Sequence, residues 1–125
     1  MLSNRRVHAV LPTPDPEALR TFYEDTLGLT PFGERPASVM YRVGEGTLFA
    51  LTRSGIRPAG HTQVVFTVPD LEGEVAELRG RGVVFEAYET PKTENGIARM
   101  PAGRAAWFED PDGNLIGLIQ FDEPL

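Results

Sequence analysis

Apolar and polar positions along this chain fall into two similar series. Residues 7–13 are apolar and partly β-branched and stop at Pro14-Asp15-Pro16, which predicts a strand. Leu19, Phe22, Tyr23 and Leu27 then recur at helical spacing. Asp15 is placed to cap that helix, Pro16 suits its first turn, and Gly28 stops it. Residues 38–43 and 47–53 read as two short strands around the tight Gly44-Glu45-Gly46 loop. The order then begins again. Residues 62–68 predict a strand closed by Pro69-Asp70, and Asp70 caps a helix with Leu71, Val75 and Leu78 on one face, ended by Gly80 and Gly82. A further strand is predicted over 83–88, a connector rich in Pro, Gly, Asn and Thr over 89–103, and a hairpin from 104–109 and 114–121. Pro14-Asp15 and Pro69-Asp70 occupy equivalent places, so the pattern reads as two copies of one βαβββ unit, about 5–55 and 60–122, within a single α+β domain of residues 1–125.

The last hairpin carries the most specific signal. In Asp110-Pro111-Asp112-Gly113 the proline presets φ at the second turn position, Asp suits the first and glycine the fourth. The strand that follows is apolar apart from Gly117 and Gln120, as expected where both faces meet protein or ligand. With Pro111-Asp112 as a two-residue tip, the register places Phe108 opposite Leu115 and Ala106 opposite Gly117, with Arg104 further along that face. Trp107 then takes the opposite parity, beside Ile116 and Leu118, and is expected under the helices. The 89–103 connector is read as a plain link, with Arg99 and Met100 as weak candidates should it act as a lid.

Composition narrows the partners. A chain of 125 residues, 41% hydrophobic, suffices for one core. It has no cysteine, hence neither disulfides nor thiolate chemistry. No stretch approaches ~18 unbroken apolar residues and MLSNRRVHAVLP lacks a signal-like apolar run, so no membrane partner and a cytoplasmic setting are expected. Twelve basic against eighteen acidic residues give a net charge of −6 and no basic cluster to neutralise phosphates, which argues against nucleic acid. The same balance would favour cationic ligands at long range, although ordinary solubility is the better account of it.

Two βαβββ units, a lone His8 in the first strand, a second Pro-Asp-capped helix and the terminal FEDPDGNLIGLI together resemble the vicinal oxygen chelate superfamily, the glyoxalase, bleomycin-resistance and extradiol-dioxygenase group. The resemblance implies a cupped eight-stranded mixed sheet around a cavity, with helices outside. In the group's metal enzymes it implies four ligand positions, one on the first and one on the last strand of each module. Here they fall on His8, Ala50, Gln63 and Gly117. Two of the four lack any donor atom, whereas a catalytic centre needs about three protein ligands, so no metal and no other cofactor are expected. The alternative is a divalent metal involving His8, with ligands moved to residues such as His61. The small residues leave space for an organic ligand or for neighbouring bulky side chains, and His8, Val10, Leu48, Ala50, Gln63, Val65, Arg104, Ala106, Phe108 and Gly117 are the candidate ligand-binding residues. An apolar wall with few polar groups suits an organic ligand, cationic or aromatic. Catalytic residues are not identifiable. The resemblance thus implies a metal-free binder of a drug or metabolite, of the antibiotic-resistance type and homodimeric. The alternatives are a metal-dependent lyase, isomerase or dioxygenase, or a metal-free enzyme using His8 or Arg104.

Overall fold

Strand β1 (Ala9–Thr13) pairs in parallel with β4 (Leu48–Arg53), which continues antiparallel to β3 (Ser38–Arg42) and on to β2 (Thr30–Arg35), so the first sheet runs β1-β4-β3-β2. The computed structural model describes residues 1–35, 37–55 and 60–123. Its chain divides into two compact units, Met1–Arg57 and Pro58–Leu125.

In the first unit, alternation along the strands sends Leu11, Val39, Tyr41, Phe49 and Leu51 to one buried face. The segment expected as an α-helix covers that face in a different form. It is a 3-10 turn at Glu17–Leu19 followed by a π-helical turn at Thr21–Thr26, closed by the Leu27 N–H donating to the Phe22 carbonyl at 2.9 Å. Asp15 does not cap it. The Asp15 N–H instead donates to Thr13 Oγ1 at 3.1 Å, and Glu17 stands in the first turn. Tyr23 is fully buried against Tyr41 and Phe49, with ring centroids 5.9 and 5.5 Å away.

Two boundaries differ from expectation. β1 starts at Ala9, leaving Val7 and His8 exposed ahead of it. β2 was not separable in the sequence because Pro31 and Gly33 interrupt its pattern; both are tolerated because β2 is the sheet edge, with a register shift between them.

The second unit repeats the topology as β5-β9-β8-β7-β6, with β5 (Thr62–Thr67) parallel to β9 (Leu115–Phe121) and β8 (Gly103–Glu109) antiparallel to it. Helix α1 (Leu71–Gly80) is capped as expected, the Gly73 N–H donating to Asp70 Oδ1 at 3.2 Å, and it buries Leu71, Val75 and Leu78.

The 83–88 strand is not formed. Phe85 makes a single bridge to Phe108, while Val84 is 82% exposed. The Gly103–Ala105 end of that edge of β8 is taken by β7 (Ile97–Met100), which with β6 (Thr93–Glu94) turns the expected 89–103 connector into a short hairpin. Its tip is Asn95-Gly96, both at positive φ, a strong hairpin signal in itself. The architecture is α+β with two mixed sheets, and the described residues hold nine strands where eight were expected, because the connector supplies two and residues 83–88 none. No helix among the described residues is long and apolar enough to cross a membrane.

Candidate functional site

Each sheet has one face covered by helical segments and one that is partly open. In the second unit the covered face is identified by two contacts from α1. The Leu71 N–H donates to Gln120 Oε1 at 2.9 Å, and Arg104 Nη1 donates to Glu72 Oε1 at 2.6 Å. Arg104 lies opposite Gln120, so alternation puts Ala106, Phe108, Ile116 and Leu118 on this face as well. All four are buried, and Phe108 packs edge-on to Phe85 at 5.5 Å.

The register differs from expectation by one residue. Phe108 faces Ile116, and Gly117 faces Trp107 rather than Ala106. The cause is the turn. Its tip holds three residues, not two, because the Gly113 N–H closes a turn onto the Asp110 carbonyl at 3.0 Å and Gly113 then sits at φ +88°. Asp110 bonds back to Asn114 as the flanking pair: its N–H donates to the Asn114 carbonyl at 2.9 Å, and its carboxylate accepts from the Asn114 N–H and Nδ2 at 2.9 and 2.7 Å. A slip of one residue exchanges the faces. Arg104, Ala106 and Phe108, expected beside Gly117, therefore belong to the helix-covered side. Trp107, expected under the helix, lies on the open one.

The open face of the second sheet centres on Gly117. A Cβ there would meet Thr62 Cγ2 at 3.3 Å, Trp107 Cδ1 at 3.4 Å and Val65 Cγ2 at 3.4 Å. Val65 is 50% exposed, and Leu115, Ile119 and Trp107 are partly exposed. Tyr88 stands edge-on to the indole at 5.5 Å, and burial pushes its phenol above the usual tyrosine range. Gln63 sits at a register shift in β5, where its Oε1 accepts from the Leu115 N–H at 3.3 Å.

The first sheet has the corresponding positions. Val10, 53% exposed, lies beside Ala50, and Ala50 faces Met40 as Gly117 faces Trp107. Met40 therefore shares the face of Ala50, and Tyr41 lies beneath the helical segment. Leu48 has the parity of Ala50 and, with His8 and Glu45, lines a hollow of about 340 Å³. Sequence reasoning missed Phe32 on the edge strand, whose ring lies 4.1 Å below the Arg42 guanidinium.

The four positions assigned by resemblance to metal ligands supply an imidazole from His8 and a carboxamide from Gln63, the latter engaged by the backbone. Ala50 and Gly117 offer no donor, so these positions do not fit a metal ion of the group's enzymes. Among the described residues no group of three or more His, Cys, Asp or Glu side chains is placed to hold one. His61 does not change this: it is exposed, and its Nδ1 lies 3.0 Å from the Thr62 carbonyl oxygen.

Known proteins agree with this architecture. Residues 5–118 match the family model of the glyoxalase/bleomycin resistance protein/dioxygenase superfamily. No functionally curated protein matches the chain. Among solved structures it is similar to TnmS3, an antibiotic binding protein from Streptomyces sp. CB03234, at 27% identity and a TM-score of 0.71 over 95% of this chain and 98% of that one. It is also similar to a superfamily member from Sphaerobacter thermophilus, at 29% identity and a TM-score of 0.76 over 95% and 99% of the two chains. A glyoxalase/bleomycin resistance protein from Streptomyces sp. CB03234 is 29% identical, with a TM-score of 0.65 over 91% of this chain and 100% of that one. Matched over nearly its whole length, this chain belongs to the glyoxalase/bleomycin resistance protein/dioxygenase superfamily.

Proposed function

We propose that this protein binds an organic small molecule, a drug or metabolite, without a metal ion and without altering it. The observation that carries the reading is the pairing of Trp107 with Gly117, which sets an indole beside a position with no side chain on a partly open, largely apolar sheet face. An aromatic edge, an apolar floor from Val65 and Ile119 and few polar groups suit a planar organic ligand, and the net charge of −6 favours a cationic one. The similarity to an antibiotic binding protein supports the same reading. Ala50 and Gly117 support its metal-free part, since neither offers a donor atom to an ion. The reading includes a homodimer in the cytoplasm. A second reading, an enzyme working through His8, is favoured only by the hollow that His8 shares with Glu45.

Trp107 is the only tryptophan, so the tryptophan fluorescence originates on this face. Titration with a panel of planar antibiotics and aromatic amines is expected to give a saturable change at one ligand per chain, with the ligand recovered unaltered by mass spectrometry. The same result is expected from protein challenged with nickel, manganese, iron or zinc and then desalted. Conversion of the ligand, or stoichiometric metal retention abolished by His8→Ala, would overturn the proposal in favour of an enzyme.

A further inference from the structure

A hollow of about 590 Å³ lies on the α1 side of the second sheet, between α1 and the β6–β7 hairpin. It lies away from the face carrying Trp107, and its charge is opposite to that of the chain. Four of the twelve basic side chains, Arg79, Lys92, Arg99 and Arg104, line it against two acidic ones, Glu72 and Glu94, in a protein of net charge −6. Arg104 is paired with Glu72, and Arg99 with Asp122 outside the lining. Lys92 is loosely associated with Glu94 at 3.9 Å.

Arg79 is held differently. Its Nη2 donates to the Asn95 carbonyl at 2.8 Å, its Nη1 to Asn95 Oδ1 at 3.3 Å, and its guanidinium lies 5.5 Å from the centre of the Phe85 ring. Both hydrogen-bond partners are neutral, so they fix the group in place without cancelling its charge. The seat is built around a glycine. A Cβ at Gly96 would stand 2.6 Å from Arg79 Nη2, and the φ of +83° there favours glycine as well. Val75, Ala76 and Ile97 give the hollow an apolar side next to this fixed cation.

We propose that this hollow is a second binding site, for a small oxyanion, carboxylate or phosphate, carried on an apolar body. The anion lies against Arg79 and Lys92, and the body against Val75, Ala76 and Ile97. The volume falls within the range of small-ligand pockets, ~300–1,000 Å³. A guanidinium whose fork is already oriented loses little freedom on meeting an oxyanion.

Amide and guanidinium NMR of the intact protein tests the site, with benzoate, phenyl phosphate, inorganic phosphate and benzylammonium as probes. Benzoate or phenyl phosphate is expected to shift Arg79 Nε–H and the Ala76 and Ile97 amides in a saturable way, and which of the two binds tighter identifies the anion. Benzylammonium is expected to leave these signals unmoved, and inorganic phosphate to act more weakly for want of the apolar body. Arg79→Gln risks undocking the hairpin, so the decisive variants are Lys92→Gln and Glu94→Gln, at side chains 71% and 83% exposed. Lys92→Gln is expected to weaken benzoate roughly two- to fivefold and Glu94→Gln to strengthen it by a similar factor, both with unchanged melting temperature. A purely structural clasp predicts no effect of either. Linear, non-saturating shifts, equal response to benzylammonium, or identical affinities in both variants overturn the proposal. Since Trp107 reports the other face, failure here is distinguishable from failure of the ligand-binding reading above.

Discussion

Trp107 stands directly across the last hairpin from Gly117, and a methyl group placed on Gly117 would come within 3.4 Å of its indole Cδ1. The other atoms it would meet are methyls of Thr62 and Val65, side-chain atoms on a partly open face that can move by tenths of an ångström. Gly117→Ala should therefore change stability by no more than about 1 kcal/mol, since reduced freedom of the unfolded chain offsets the tight contact. Its effect should fall on the ligand: quenching of Trp107 by a bound planar compound should saturate at higher concentration than in the unmodified protein. Urea denaturation and fluorescence titration on the same samples check both halves.

Ala106 provides the opposite case. It is fully buried on the face covered by α1. Ala106→Leu should cost about 1–3 kcal/mol through overpacking and leave ligand titration at Trp107 unchanged. A loss of affinity with intact stability would return Ala106 to the ligand face.

The turn that sets this register depends on one carboxylate. Asp110, 4% exposed, accepts from the N–H groups of Asp112 and Asn114 and from Asn114 Nδ2. Asp110→Ala leaves buried donors unmatched and should lower stability by roughly 2–4 kcal/mol, visible as a large drop in melting temperature. Because Phe108, Ile116 and Leu118 flank the turn, the near-ultraviolet signal of the core should weaken as well.

Stability of the first unit should depend on pH at both extremes. Glu24 accepts from Arg20 Nε at 2.6 Å and from the Tyr41 hydroxyl at 2.9 Å. The Arg20 hydrogen bond, with help from Tyr41, holds the Glu24 carboxyl below the usual range, against the opposing effect of burial. A lowered pKa means that the unfolded chain takes up the proton first, so this stabilisation is present above about pH 4.5 and is lost as pH falls. Burial, then the adjacent Glu24, pushes the Tyr41 phenol well above its usual range. There the unfolded chain ionises first, so stability is lost as pH rises above about 10. Glu24→Gln should flatten the acid limb of a stability–pH profile and Tyr41→Phe the alkaline limb. Tyr41→Phe should also cost about 1–2 kcal/mol at neutral pH from the lost bond.

Much of the architecture was legible in the chain itself. Val75 and Leu78 on one helical face, Asp70 as a cap and the strand at 48–53 after the Gly44-Glu45-Gly46 turn are local signals, and local physics settles them. The repeat could be read because Pro14-Asp15 and Pro69-Asp70 punctuate both halves alike. The equivalence of Ala50 and Gly117 came from the family resemblance, and the register of β4 and β9 agrees. Asn95-Gly96 was also a usable signal, obscured by the prolines and polar residues around it.

Other features depend on neighbours distant in the chain. Whether residues 83–88 form a strand depends on which segment occupies the free edge of β8, and β7 takes its Gly103–Ala105 end. The first helical segment has ordinary helical spacing, yet adopts 3-10 and π turns where Tyr23 meets Tyr41 and Phe49. The face of Trp107 turned on a single residue in the hairpin tip. Strand composition is compatible with either parity when both faces are apolar, and only the Asp110–Asn114 bonds and the contact of α1 with Gln120 decide between them. The chain by itself thus determined most of its elements, its repeat and the residues lacking donor atoms. The tertiary structure decided which of those residues share a face, because side-chain direction in a sheet is set by register and by what packs on either side.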